Sequence, residues 1–223
     1  MTSADDSLRA KLRHLPVLKG SAQDANLDEL PETPHEAFEV WLDKAIADGV
    51  AEPHAMTLST VDENGWPDAR VLILKNVDDR GWHFAIKADS PKGQQIAANQ
   101  HVALTFYWPQ QARQVRLRGL AVRLPEEECI QDFTARPLGS KVSAVASKQS
   151  QVMESPDELS QSLAQTQLKL EQSPDHIILG WKVYAVAPDT VEFWQGKADR
   201  LHERLQYVRR VNQVGWAKQH LWP

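Results

Sequence analysis

The stretch Glu192-Phe193-Trp194-Gln195-Gly196, with Arg200-Leu201-His202-Glu203-Arg204 close behind it, gathers an aromatic plate, two arginines and a histidine within thirteen residues. Arg200 and His202 share a face if the segment is extended, and Arg200 and Arg204 share one if it is helical, so either geometry aims cations at an anionic ligand. Ser90-Pro91-Lys92-Gly93 is a second such feature. A capped helix start offers free N–H groups and partial positive charge, and Lys92 adds a full one, which suits a phosphate. Arg70 and Lys75 bracket the apolar run Val71-Leu72-Ile73-Leu74, an odd place for two cations unless an anion or the solvent receives them. Gln114 and the pair Gln149-Ser150 carry amides and a hydroxyl, groups that suit the carbonyl and imide edge of a flavin-like ring. Each feature also has a plain reading as an exposed strand end, an ordinary helix cap or a polar surface. The sequence holds no GxGxxG, Walker loop, HExxH, GxSxG or Cys/His metal spacing, which argues against metal and catalytic-triad chemistry.

These residues must be placed by a chain of 223 residues, 42% hydrophobic and 25% charged, values of an ordinary globular protein with one large domain. The net charge of -5 supplies no global field for nucleic acid or an anionic membrane, so any anion site is local. The single cysteine, Cys129, excludes an intrachain disulfide and fits a reducing compartment. With no apolar signal core at the start and no run near the ~18 apolar residues of a membrane span, a cytoplasmic protein is expected. Residues 1–32 are polar and aperiodic and read as a flexible arm, leaving 33–223 as one domain. Thr33-Pro34-His35-Glu36 opens a helix whose Phe38, Trp41, Leu42, Ala45 and Ile46 form the buried face, ended by Gly49.

From residue 55 the apolar period changes to two. Runs 56–62 and 71–77 flank Asn64-Gly65 and predict a hairpin, and the unbroken apolar run 71–74 predicts a central strand covered on both faces. Strands are expected over 82–86 and 102–108, with a short helix from Ser90-Pro91 to 98 between them. In 113–124 the apolar phase slips at Gly119, which predicts a β-bulge. Helices over 125–135 and from Ser155-Pro156-Asp157-Glu158 to about 171 bracket a polar stretch, 137–152. Strands over 177–186 and 190–194, broken by Pro188, precede a closing hairpin of 205–211 and 216–221 around Asn212. The order predicts an α+β fold dominated by β, an antiparallel β-barrel with short peripheral helices. Apolar residues in 113–124 and the C-terminal strands predict a face for a second copy.

The ordered set Met56-Thr57-Leu58-Ser59-Thr60-Val61-Asp62, Arg70 to Lys75, Arg113-Gln114-Val115-Arg116, Ala135-Arg136-Pro137, Ser147-Lys148-Gln149-Ser150 and the two C-terminal motifs resembles the pyridoxamine 5'-phosphate oxidases over about residues 35–223. The resemblance implies a homodimeric split β-barrel with two FMN sites at the subunit interface. It implies that Arg70, Val71, Leu72, Ile73, Leu74 and Lys75 line FMN, that Ser90 and Lys92 lie at its phosphate, and that Gln114, Gln149, Ser150, Trp194 and Arg204 complete its pocket. It further implies substrate contacts from Lys75, Asp132, Arg136 and Ser140, with Arg200 and His202 placing the substrate over the ring. The implied reaction passes a hydride from the substrate C4' carbon to FMN, and molecular oxygen as acceptor yields pyridoxal 5'-phosphate and hydrogen peroxide.

The chain departs from the family pattern at several points. Ala85-Ile86 stands where Tyr-Thr is usual, Ser90-Pro91-Lys92 where Ser-Arg-Lys is usual, and Ile178-Leu179-Gly180 where Trp-Gly-Gly is usual. Asp132 replaces a tyrosine that touches the substrate phosphate, and is read either as a carboxylate repelling that phosphate or as an exposed partner of Arg136 four residues on. Two rival functions follow: an oxidase resembling the phenazine-biosynthesis members, acting on a bulkier tricyclic carboxylate, and a flavin- or pyridoxal-phosphate-binding protein without turnover. Arg200 and His202 argue against the second.

Overall fold

The period-two stretches fold as one nine-stranded antiparallel sheet in the computed structural model, which describes residues 7–18, 26–173, 180–211 and 214–223. Strands β1 (Ala55–Val61) and β2 (Pro67–Ile73) pair in register from Ala55↔Ile73 to Val61↔Pro67. At their turn Gly65 sits at φ +83°, a left-handed conformation glycine adopts without Cβ strain. Asp62 Oδ1 accepts the N–H groups of Asn64 and Trp66 there. The remaining strands are β3 (Asn76–Asp78), β4 (Gly81–Lys87), β5 (His101–Trp108), β6 (Arg113–Arg123), β7 (Trp181–Gln195), β8 (Glu203–Arg209) and β9 (Trp216–His220).

Their order is β2-β1-β5-β6-β7-β4-β3, with β8 joined to β7 and β9 to β8. The two ends of that path, β2 and β3, are separated in the chain by Leu74 and Lys75 alone, so the sheet must curl until its ends meet. Strand β7 is shared: Trp181 to Val186 pair with β4, and Thr190 to Gln195 pair with β8, which splits the barrel wall.

Six helices, among the described residues, decorate the sheet: α1 (Leu8–Arg13), α2 (Pro34–Ala47), α3 (Pro91–Ala98), α4 (Glu126–Thr134), α5 (Leu138–Ala146) and α6 (Pro156–Gln172). Helix α2 buries Phe38, Trp41 and Ala45 as its spacing predicts, whereas Ile46 is exposed. Phe38 meets Phe106 at 4.7 Å and Trp82 at 5.6 Å, and Trp41 meets Phe193 edge-on at 5.1 Å. Aromatic pairs of this kind contribute about 0.5–1.5 kcal/mol each beyond their burial. Among the described residues no helix is long and apolar enough to cross a membrane, and no group of three His, Cys, Asp or Glu could hold a metal.

The bulge lies at Gly119 and its extra residue is on the facing strand. Arg118 pairs with Thr190 and Gly119 with Pro188, leaving Asp189 without an opposite number. A Cβ on Gly119 would sit 2.1 Å from the Ala187 carbonyl oxygen, so glycine is required by close approach. Pro188, which has no N–H for a ladder, is accommodated at this irregularity, so 181–195 runs as one strand where two were expected.

Three further expectations change. The run 71–74 is not covered on both faces: β2 ends the path, and Val71 and Ile73 are 66% and 40% exposed. Continuous hydrophobicity here marks an outward face left open by this chain. Within the polar stretch 137–152, residues Leu138–Ala146 form α5, whose Val142, Ala144 and Ala146 are buried; its small residues hid the period. Residues 26–32, assigned to the arm, pack on the body through buried Leu27 and Leu30, and Tyr207 donates to the Pro31 carbonyl at 2.7 Å. Residues 177–179 of an expected strand, and Asn212, lie outside the described residues.

Candidate active site

The first cluster assembles around the start of α3. Ser90 caps the helix, its hydroxyl donating to Lys87 O at 2.7 Å and accepting the Gly93 N–H at 3.3 Å, so both its functions are committed to the cap. Gly93 is needed because a Cβ there would lie 2.5 Å from Lys87 O. Lys92 is buried, and its ammonium donates to Gln149 Oε1 at 2.9 Å, joining two predicted residues 57 positions apart. Burial holds the Lys92 amine below its ordinary pKa, with the nearby Arg70 charge acting the same way. A charge so placed is stabilised by an anion.

These groups border a cavity of about 190 Å³, lined by Leu72, Lys87, Lys92, Arg136 and Gln149 among others. Of the run 70–75, alternation sends Leu72 to this cavity and Leu74 into the core, while Val71 and Ile73 face outward. Arg70 donates to Thr60 Oγ1 at 2.6 Å and pairs with Asp68. Gln149 and Ser150, adjacent in sequence, part company: Ser150, at φ +67°, lines a separate cavity of about 480 Å³ against α6.

Arg136 lies over the Trp181 ring at 4.3 Å and donates to the Ser140 carbonyl at 3.3 Å, so Ser140 contributes its backbone. Its Nε is buried with no hydrogen-bond partner among the described residues, and burial lowers its pKa. Asp132 is neither a free carboxylate nor on an exposed face, though its charge acts on Arg136. Its Oδ1 pairs with Lys75 Nζ at 3.1 Å and its Oδ2 accepts the Trp181 indole N–H at 2.8 Å. The carboxylate therefore holds the aromatic plate on which Arg136 rests.

The second cluster lies on the far half of β7. Gln114, Trp194 and Arg204 form one cross-strand row on β6, β7 and β8. Trp194 lies against His202, ring centroids 4.7 Å apart and planes inclined by 47°, and His202 Nδ1 accepts the Lys197 N–H at 3.1 Å. An accepting Nδ1 places the imidazole proton of the neutral ring on Nε2. Arg200, exposed at φ +67°, sits in the loop between β7 and β8. One row away, buried Glu192 accepts from Arg204 Nε at 2.9 Å and from Arg116 Nη2 at 2.7 Å. Burial pushes the Glu192 carboxyl up, but the bonds from Arg204 and Arg116 outweigh it and hold it below the ordinary value.

The two clusters lie toward opposite ends of β7. Trp181 and Trp194 are thirteen residues apart on that strand, and no residue of the second cluster is among the lining of the first cavity. Sequence reasoning missed Trp181, Lys87 and the Arg116–Glu192 pair. For Glu192 a signal exists: it shares the outward phase of Trp194, opposite apolar Val191 and Phe193. Trp181 and Lys87 carry no local motif.

Residues 42–170 match the family described as Pyridoxamine 5'-phosphate oxidase, and residues 181–223 match the Pyridoxine 5'-phosphate oxidase C-terminal dimerisation region. A pyridoxine/pyridoxamine 5'-phosphate oxidase of Ectopseudomonas mendocina is 42% identical over 197 residues, covering 87% of this chain and 91% of the relative. One from Legionella pneumophila is 37% identical over 216 residues, covering 96% and 100%. Among solved structures, PhzG from Burkholderia lata 383, in complex with tetrahydrophenazine-1-carboxylic acid, superposes with a TM-score of 0.82 at 28% identity, covering 88% of this chain and 95% of that one.

Proposed function

The chain belongs to the pyridoxamine 5'-phosphate oxidase family, and from that premise we propose that it is an FMN-dependent oxidase of a phosphorylated pyridoxine-type substrate, working as a homodimer. The observation that carries this reading is the small cavity with two cations in its wall, buried Lys92 at a helix N-terminus and half-buried Arg136 on Trp181. Two anionic groups brought close together, one from a cofactor and one from a substrate, match two such receptors.

The residues fit FMN on their own chemistry. Lys92 is a buried ammonium on an anion-favouring helix start, its hydrogen-bond partner the neutral Gln149 amide oxygen at 2.9 Å, so among the described residues its charge lacks a paired anion. Lys92, Gln149 and Arg70 would hold the phosphate side, and Gln114, Trp194 and Arg204 the ring side. When bound, FMN would supply a two-electron acceptor for a hydride from the substrate carbon, with dioxygen as the terminal oxidant.

This chain's residues bind and orient. Arg136 and Lys75 receive the substrate anion, Asp132 fixes Trp181 beneath Arg136, and Arg200 with the His202 Nε2–H positions the substrate from the second cluster. In this reading each site is a composite, the first cluster from one subunit and the second from its partner, which the separation of the clusters along β7 supports. Exposed Val71 and Ile73 supply apolar surface for that association.

A second reading, oxidation of a carboxylated aromatic, is favoured by one observation: Asp132 already neutralises Lys75, which leaves less positive charge for a phosphate dianion. One experiment tests both. The purified protein is expected to be yellow and dimeric in sedimentation, and to release peroxide with pyridoxamine 5'-phosphate. Peroxide from a tricyclic carboxylate alone selects the second reading. A colourless monomer that cannot be loaded with FMN refutes both.

A further inference from the structure

Glu192 is a buried titratable group that the reading above leaves without a task. It lies almost wholly inside, 3% exposed, yet receives two guanidinium groups. Oε2 accepts from Arg116 through Nε at 2.9 Å and Nη2 at 2.7 Å, while Oε1 accepts from Arg204 Nε at 2.9 Å. Arg204 is fixed at a second point, Nη1 donating to the Trp222 carbonyl at 2.8 Å. Two anchored nitrogens leave the Nη2 edge of a planar, rigid fork free to meet a ligand. Strand register makes the relation tight: Trp194 pairs with Arg204, and Glu192, two residues before Trp194 on the same outward phase, pairs with Arg116 and Gln206.

We propose that Glu192 is a positioning residue for flavin binding, its carboxylate aiming Arg204 along the Trp194 row while Arg116 holds that carboxylate in place. This rests on the FMN reading above. Carboxylate geometry is what the arrangement needs, because each oxygen serves a different guanidinium. A glutamine in the same volume offers one acceptor and turns its NH₂ toward the donors of the other arginine. Two like charges then face each other across a buried amide, and Arg204 loses its orientation.

The test is a double-mutant cycle read by FMN titration of the apoprotein, with the visible spectrum of the bound flavin recorded and melting curves taken to establish folding. Parent, Glu192→Gln, Arg204→Gln and the double variant are compared. Glu192→Gln is expected to weaken FMN binding about tenfold and to shift the bound-flavin spectrum. Added to Arg204→Gln it is expected to weaken binding no further, since its effect passes through Arg204. Should Glu192→Gln fail to fold, Glu192→Gln/Arg116→Gln removes the unpaired guanidinium together with the carboxylate and is expected to show the same tenfold loss. Unchanged affinity and spectrum in a folded variant, or losses that multiply in the double variant, overturn the proposal while leaving the FMN reading intact. A parent that takes up no FMN overturns both.

Discussion

Replacing Asp132 with asparagine removes one negative charge from the proposed substrate end of the site and little else. The amide oxygen can still accept the Trp181 indole N–H now held at 2.8 Å, so the plate under Arg136 stays in place. Lys75, paired with the carboxylate at 3.1 Å, is released for the substrate. A phosphate charge about 5 Å from a carboxylate is repelled by roughly 3 kcal/mol at an effective dielectric of about 20. The Lys75 and Asp132 side chains are 32% and 19% exposed, so solvent screening reduces this to about 1–2 kcal/mol. The expected result for pyridoxamine 5'-phosphate is a KM lower by roughly 5- to 30-fold with kcat little changed, since the interaction involves the anion and not the reacting carbon. A monocarboxylate carries one charge where a phosphate dianion carries two, so its gain is the smaller of the two. Steady-state peroxide assays at low and high salt check this, and the gain should shrink as salt rises. An unchanged or higher KM at low ionic strength refutes the electrostatic account of Asp132.

Four other outcomes are expected. Lys92→Met should weaken FMN binding by about one to two decades, because a charge-assisted bond contributes roughly 1.5–3 kcal/mol; equal affinities in a fluorescence titration refute the placement. Arg200→Ala should slow flavin reduction in stopped flow while the bound spectrum stays near that of the parent; a folded, colourless variant contradicts the division of roles within the motif. Gly119→Ala should destabilise by about 2–4 kcal/mol, given a Cβ placed 2.1 Å from the Ala187 carbonyl oxygen, and an unchanged urea midpoint disproves the close approach. Stability should also fall in acid in two stages. Burial holds His83 below its ordinary 6.5, so the unfolded chain binds the proton first and stability declines as pH drops below that value. Burial would raise Asp78, but hydrogen bonds from Arg80 outweigh it and bring it to about 2, so its contribution is lost from about pH 3.8 downward. A melting temperature independent of pH between 7 and 5, or identical in His83→Gln, rules out the first stage.

The sequence by itself determined what near neighbours control. Pro34 after Thr33 and the spacing of Phe38, Trp41 and Ala45 placed α2; Asn64-Gly65 placed the first hairpin; the phase slip at Gly119 placed the bulge; Ser90-Pro91 placed the start of α3. Each signal acts within a few residues, through φ preference, capping or side-chain period, and needs no knowledge of the rest of the chain. The motif residues were legible for the same reason, as short runs of types suited to anions. Tertiary structure decided which of them meet. The apolar run 71–74 reads alike whether or not a second layer covers it, and only the strand order shows Val71 and Ile73 open. The sequence left Asp132 either opposing an anion or paired with Arg136 on an exposed face, and only the tertiary structure shows it held by Lys75 and by Trp181, 49 residues further on. The placement of the two clusters toward opposite ends of β7 depends on a strand whose length was hidden by Pro188, because an irregularity that breaks a sequence pattern need not break a ladder.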